Sequence, residues 1–501
     1  SYCFPIPTVI NFLRKNAKRV EVVYNEELIP LLHCAIPFAY YERGTRQSQQ
    51  KNYHDLIKDG SRFKWFYKKN EDGDFKTDKF AKACFKAFVS ELLFIVRSHL
   101  VSKGYSLENT HILWSYPLSF SPQLVQDYID TWNEGYKKII NPLVKDSDIE
   151  NYVHYTNESR SPIFECLNNP ATVDHLTLLA DIGGGSTDII GYKNKKPMFI
   201  SSFGFAGNAL YLDGGLNTVE PNAMNGTILK HFVSKQDIFN YEQGTSKTKK
   251  ISKDDAISTL MNYGFAKDFN NFRKIFDNAG PKFMLLMHNA ALIYHIAQLC
   301  RVKSPNEMPV SVFLTGNGSK LFVLNSGYKD MIRNIFQYVY ESSENSAIIA
   351  SAATDMQIIN PKNPKAATVH GALKGYCKGQ LATNASATAD QVVMLGDAST
   401  VFDVKVGEGG AQVSFDGDYK EAIKVNIKTF IEMFYKIVYT TASPVLEKDK
   451  VIKAVDYVSG DSHLRISDNG VLSDSLFFQY VALVMQKLSF DLKDNYDNKS
   501  K

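Results

Sequence analysis

Apolar and polar positions along the chain follow two periods. Between residues 77 and 103 apolar side chains recur at helical spacing (Phe80, Cys84, Ala87, Phe88, Leu92, Ile95). Thr77 or Asp78 can cap this helix and Gly104 stops it. Residues 111–116 form a short strand ended by Pro117, and a second helix opens at Ser121-Pro122, with serine as cap and proline in the first turn. Residues 176–180 are a continuous apolar run, as in a strand buried on both faces. Two more strands follow at 189–192 and 198–203, joined by the turn 193–196. Residues 213–300 read as mostly helical, broken by a Lys/Ser/Thr loop at 245–253 and ending in a long buried helix over 283–301. Residues 310–314 form another buried strand, and helical patterns return near 421–439 and 475–490. The first 75 residues show strand-like runs only at 20–24 and 34–41.

The chain has 501 residues, which suggests two to four domains. Apolar residues make up 44% and charged residues 22%, ordinary globular usage that excludes disorder over most of the length. The net charge of +4 is small, so there is no argument for nucleic acid. The interleaved aromatics and lysines from Phe63 to Lys69 read as an amphipathic edge segment rather than a nucleic-acid strip. No window approaches 18 uninterrupted apolar residues, so no membrane span is expected. The six cysteines (Cys3, Cys34, Cys84, Cys166, Cys300, Cys377) make no zinc or disulfide spacing. They imply a reducing, cytoplasmic setting.

Two glycine turns carry the chemistry. The buried strand at 176–180 runs into Asp181-Ile182-Gly183-Gly184-Gly185-Ser186-Thr187-Asp188. Glycines let backbone N–H groups approach an anion closely, and consecutive N–H groups form a nest for phosphate oxygens. Ser186 and Thr187 can add hydroxyl donors, and Asp181, at the strand mouth, can meet a hydrated Mg²⁺. The same residues also suit a plain tight hairpin. The strand at 310–314 closes on Thr315-Gly316-Asn317-Gly318-Ser319-Lys320. There Gly316 and Gly318 permit close approach of a flat ligand, and Lys320 can lie over a base. Ligands of α/β chains sit beyond the carboxyl ends of strands, and two such turns suit the two ends of one nucleotide.

At this point a family resemblance emerges. Residues 178–192 resemble the second phosphate loop of the actin-like ATPase superfamily, which includes actin, the DnaK-type heat-shock chaperones and the MreB, FtsA and ParM filament ATPases. Residues 312–321 resemble its adenosine loop, with Gly316, Asn317, Gly318 and Lys320 in the matching places. Trp114-Ser115-Tyr116-Pro117-Leu118-Ser119-Phe120 resembles the strand-Pro-x-x-Phe segment of the chaperone ATPases. Asn157-Glu158-Ser159 sits where that family has an asparagine-glutamate pair, and residues 363–373 resemble its connecting helix, which carries an alanine-glycine contact between lobes. The order matches throughout residues 75–375. The superfamily's first phosphate loop, an Asp-x-Gly-Thr hairpin, is missing. N-terminal truncation just after that hairpin is the simplest account, and a degenerate, non-hydrolysing relative is the alternative. The chaperone family's catalytic lysine has only loose counterparts in Lys58 and Lys64.

The resemblance implies an α/β, two-lobed actin-like (ribonuclease-H-like) fold. Residues 1–175 would form an incomplete first lobe. Residues 176–375 would form the second lobe, with a helical insertion at about 213–300. Residues 376–501 would be an α-rich extension, where a protein partner could bind. It further implies ATP and Mg²⁺, an ATP-dependent conformational switch, and hydrolysis in which Glu158 orients the water and Asp181 holds the metal's water. An exopolyphosphatase-like phosphohydrolase is an alternative on the same fold, although that family has glutamate where this chain has Asp188. A filament or scaffold protein with a structural nucleotide is another.

Overall fold

The computed structural model describes residues 79–210, 269–341, 352–381 and 420–499 with short breaks, together with isolated strand pieces elsewhere. The strand-like runs at 20–24 and 34–41, the loop at 245–253, Lys58, Lys64 and Gly185 lie outside the described residues, apart from a two-residue strand at Phe38–Ala39. Of the aromatic-lysine strip, Tyr67–Lys69 forms one arm of an antiparallel pair with Phe75–Thr77.

The described residues up to Tyr155 fall in one compact unit and those from Thr156 onward in another. The first unit contains α1 (Lys79–Ser102), β1 (Ile112–Tyr116), α2 (Pro122–Gly135) and most of β2 (Val153–Asn157). Strands β1 and β2 form a two-stranded sheet. The core is Phe85, Val89, Leu93, Trp114, Tyr116, Tyr136 and their neighbours. The buried stripe of α1 is therefore Phe85-Val89-Leu93, one residue round from the expected Cys84-Phe88-Leu92 face, and Leu92 and Ile95 are only half-buried. The helix is apolar almost all the way round from Phe88 to Val96, so spacing alone could not choose between adjacent faces.

The second unit is built on one five-stranded sheet. Its strands are β3 (Thr177–Ile182), β4 (Thr187–Lys193), β5 (Lys196–Phe203), β6 (Ser311–Thr315) and β7 (Gln357–Ile359). The spatial order is β7-β6-β3-β4-β5. Strands β3, β4 and β5 form an antiparallel meander, and β6 and β7 add on the other side of β3, parallel to it. The tight turn between β4 and β5 places Asn194 at φ 49°, a conformation asparagine tolerates. The long helix α3 (Ala279–Lys303) is buried along almost its whole length, from Phe283 to Cys300. It is long and apolar enough to cross a membrane, and its apolar 18-residue stretch is buried inside the protein. Three further helices belong to this unit: α4 (Tyr328–Tyr340), α5 (Ala367–Cys377) and the short Lys320–Val323.

The described residues beyond 376 fall within the second unit. Helices α6 (Lys420–Met433), α7 (Lys448–Ser459) and α8 (Leu476–Lys499) belong to the second unit. Phe478 of α8 stacks on Phe203 and Phe205 with ring centroids 4.4 and 4.6 Å apart. Asn426 of α6 accepts hydrogen bonds from Gln298 at 2.7 Å and Tyr294 at 3.0 Å, both on α3. A helix as apolar as α3 needs cover on every side, and these C-terminal helices provide part of it. The change of texture after Gly375 marks a connection rather than the end of a core.

Candidate functional site

Strands β3 and β6 are adjacent and parallel, with Thr315 in register with Asp181. Their carboxyl ends therefore bring both glycine turns to the same edge of the sheet.

The first turn is a hairpin. Strands β3 and β4 pair as far as Ile182 and Thr187, and Gly183 N–H donates to the Ser186 carbonyl at 2.9 Å. That N–H is spent on closing the turn, so the expected anion nest loses one donor. Among the described residues neither Gly183 nor Gly184 has positive φ. Gly184 is exposed and Ser186 half-buried, so both remain open to a ligand. Thr187 does not. It is fully buried, and its hydroxyl donates to the Phe205 carbonyl at 2.7 Å. The expected phosphate contact from Thr187 gives way to a cross-link between β4 and the chain after β5.

The second turn is packed tightly. Gly316 has φ 77°, and a β-carbon there would strike the Ile182 carbonyl and Asp181 Oδ1. At Gly318 a β-carbon would strike the Gly183 carbonyl, with Ile182 Cγ2 at 2.8 Å. Glycine is thus required at both positions by the close approach of the first turn, a demand that exists with or without a ligand. Gly207, in the short helical turn Gly207–Leu210, completes the contact: a β-carbon on it would lie 3.2 Å from Gly318 Cα, and its N–H donates to the Gly183 carbonyl at 3.1 Å. Gly316 N–H donates to the Pro364 carbonyl at 3.1 Å, and Ser319 Oγ donates to the Gly316 carbonyl at 2.7 Å. Asn317 is half-buried with its Oδ1 lacking a donor among the described residues, and Lys320 is half-buried at the start of the following helix.

Asp181 stands where the two turns meet. Thr368, in the first turn of α5, donates to its Oδ2 at 3.0 Å. The carboxylate is therefore a bond between β3 and α5 as well as a candidate ligand. Helix α5 is seated by its glycines: a β-carbon on Gly371 would strike the Ser161 carbonyl, and one on Gly375 would lie 2.9 Å from the Phe164 ring. Ser161, Phe164 and α5 all lie in the second unit.

Asp188 escaped the sequence reasoning as a site residue. It pairs in register with Asp181 and with Ser202. It is buried, and Oδ1 finds no donor among the described residues. Burial pushes its carboxyl up to about 7, the charges of Asp181 and Glu158 push the same way, and a hydrogen bond from Ser202 partly opposes them. Asp181, Asp188 and half-buried Glu158 thus form an electrically coupled acidic group. The available signal was a carboxylate within a strand buried on both faces, between Thr187 and the apolar Ile189 and Ile190.

No family model and no curated protein matches the chain. Several solved structures are similar to it. MreB5 of Spiroplasma citri bound to ADP is 12% identical, covering 58% of this chain and 77% of that one, with a TM-score of 0.28. The ethanolamine utilization protein EutJ from Carboxydothermus hydrogenoformans is 13% identical over 57% and 75%, with a TM-score of 0.28. Human actin-related protein Arp8 in its ATP-bound state is 9% identical over 61% and 63%, with a TM-score of 0.34. The sheet of this chain is an antiparallel three-strand meander extended by two strands parallel to the first. It puts the meander's first turn beside the turn after β6, which is the juxtaposition found at Gly183 and Gly316.

Proposed function

We propose that the second unit binds a nucleoside triphosphate, ATP by resemblance, and that the protein is an actin-like ATPase working as an ATP-dependent conformational switch. The observation that carries this reading is the meeting of two glycine turns at the carboxyl ends of neighbouring parallel strands, with an aspartate between them. In this reading Gly184 and Ser186 face the phosphates, while Asn317 and Lys320 flank the adenosine. The backbones of Gly316 and Gly318 form the floor between them.

Magnesium fits this site in one manner. Among the described residues no group of three or more His, Cys, Asp or Glu side chains is placed to hold an ion. Mg²⁺ normally keeps several waters and uses one or two carboxylates together with phosphates, which suits Asp181 acting through water. When bound it would neutralise phosphate charge. Thr368 holds the Asp181 carboxylate in place, and Glu158 would orient the attacking water. The free thiols of Cys166, Cys300 and Cys377 suit a reducing, cytoplasmic setting.

Titration of the 501-residue chain with a fluorescent ATP analogue tests the reading. Saturable binding that unlabelled ATP displaces, and that Lys320→Ala weakens without lowering the melting temperature, is the expected result. Binding that ATP cannot displace would refute it.

A further inference from the structure

Two adjacent polar residues, His288 and Asn289, sit in the middle of the apolar helix α3, and both are wholly buried. Polar groups taken so far from water cost several kcal/mol unless they are hydrogen-bonded, so their partners show what they hold. His288 Nε2 lies 2.8 Å from the Ala206 carbonyl oxygen and donates to it. The next residue, Gly207, donates its N–H to the Gly183 carbonyl of the first turn. Asn289 Nδ2 donates to the Leu321 carbonyl at 3.4 Å, just beyond the second turn. His288 and Asn289 are consecutive on α3, so one rigid element carries both bonds. The Phe205 ring stacks on the imidazole at 5.0 Å and fixes its plane.

Two polar links therefore leave adjacent residues of α3 behind the site, one from His288 through Ala206 and Gly207 to Gly183, the other from Asn289 to Leu321. Both turns are thereby tied to a single rigid element. An apolar pair could fill the same volume, but it could not set the direction of two carbonyls.

We propose that His288 and Asn289 are positioning residues that set the two glycine turns from behind, the histidine on the phosphate side and the asparagine on the adenosine side. The inference rests on the nucleotide reading. It also makes a separable claim: each residue governs a different end of the same ligand, although neither touches it.

The test uses the whole 501-residue chain, with ATP and AMP each competing against a fluorescent ATP analogue, and with circular dichroism melts alongside. Misplacing a phosphate turn by an ångström or less predicts that His288→Leu loses ATP affinity by about ten- to a hundredfold, with little change for AMP. Asn289→Leu should weaken ATP and AMP by the same factor, because both carry the adenosine. Folded variants that bind both ligands as the wild type does would overturn the inference. So would variants that lose the two ligands in the same proportion whichever residue is changed, because a merely structural pair predicts that outcome. If His288→Leu does not fold, His288→Gln and His288→Asn decide. Glutamine can place an amide N–H near Nε2 and should keep ATP affinity, whereas asparagine is too short and should lose it. Equal behaviour of the two overturns the proposal. A wild-type chain that binds no ATP refutes the nucleotide reading itself, a result distinct from wild-type binding with unaffected variants.

Discussion

The turn after β3 and the turn after β6 both follow a buried strand and are rich in glycine, but they differ in what glycine does there. At Gly183 a β-carbon would meet only the Ser186 carbonyl, at 3.0 Å, and φ is not positive. At Gly316 φ is 77° and the space beside Cα is already filled by Ile182 and Asp181. The first turn closes an antiparallel hairpin by a local bond, so it can stay open toward a ligand. The second is wedged against the first by tertiary contact. Its glycines serve the fit between two strand ends before they serve any ligand. A glycine-rich turn is thus weak evidence of a binding loop when taken singly, and the meeting of two such turns is a stronger sign.

The contrast is most easily broken at its strongest point. Gly316→Ala combines a disfavoured φ with a backbone collision, and should destabilise the second unit by about 3 kcal/mol or more, or prevent folding. Denaturant melts measure this, and a variant melting like the wild type would mean that the turn can retreat from Ile182.

The first turn carries its burden as charge rather than shape. Asp188 has its carboxyl raised to about 7, against 3.8 ordinarily, chiefly by burial. The folded state therefore holds this proton more tightly than the unfolded chain does. That contribution is full below the unfolded value and is lost as pH rises through about 7. Between pH 5 and pH 8 the wild type should lose about 2 kcal/mol of stability relative to Asp188→Asn, whose amide does not titrate. Parallel pH dependences for the two proteins would show that this carboxyl is not the one titrating.

The link from the turns to α5 comes next in size. Thr368→Val removes the hydrogen bond to Asp181 and should cost about 1–2 kcal/mol, while Thr368→Ser keeps the hydroxyl and most of the stability. Indistinguishable melts for Val and Ser would reduce that bond to an incidental contact.

Gly183→Ala should have the smallest effect, within about 1 kcal/mol, because only one carbonyl must give by a few tenths of an ångström. A loss as large as that of Gly316→Ala would erase the distinction between the turns.

Much of the frame was legible in the chain. The strands around Leu178, Ile190 and Val312, and the helix over 283–301, follow from continuous apolar runs bounded by turn residues, and the structure extends each by only a few residues. Four things were not legible. The buried face of α1 was ambiguous because apolar residues surround the helix. The hydroxyl of Thr187 looked available because its partner, the Phe205 carbonyl, is placed by a different strand. The C-terminal helices looked like an extension because nothing in a helical pattern names the surface it covers. His288 and Asn289 were not singled out either, because their partners lie far along the chain on both sides.

The sequence alone determined the period of each element, the place of each turn, and the order of motifs that points to an actin-like fold. All three depend on neighbours along the chain, where propensity and spacing act. The tertiary structure decided which glycines are compulsory, which polar groups are spent inside the protein, and which carboxylate is forced toward its neutral form. Those outcomes depend on the distance between backbones that meet only after folding. A carbonyl in contact at Gly316, or a buried oxygen without a donor at Asp188, belongs to no single segment of the chain.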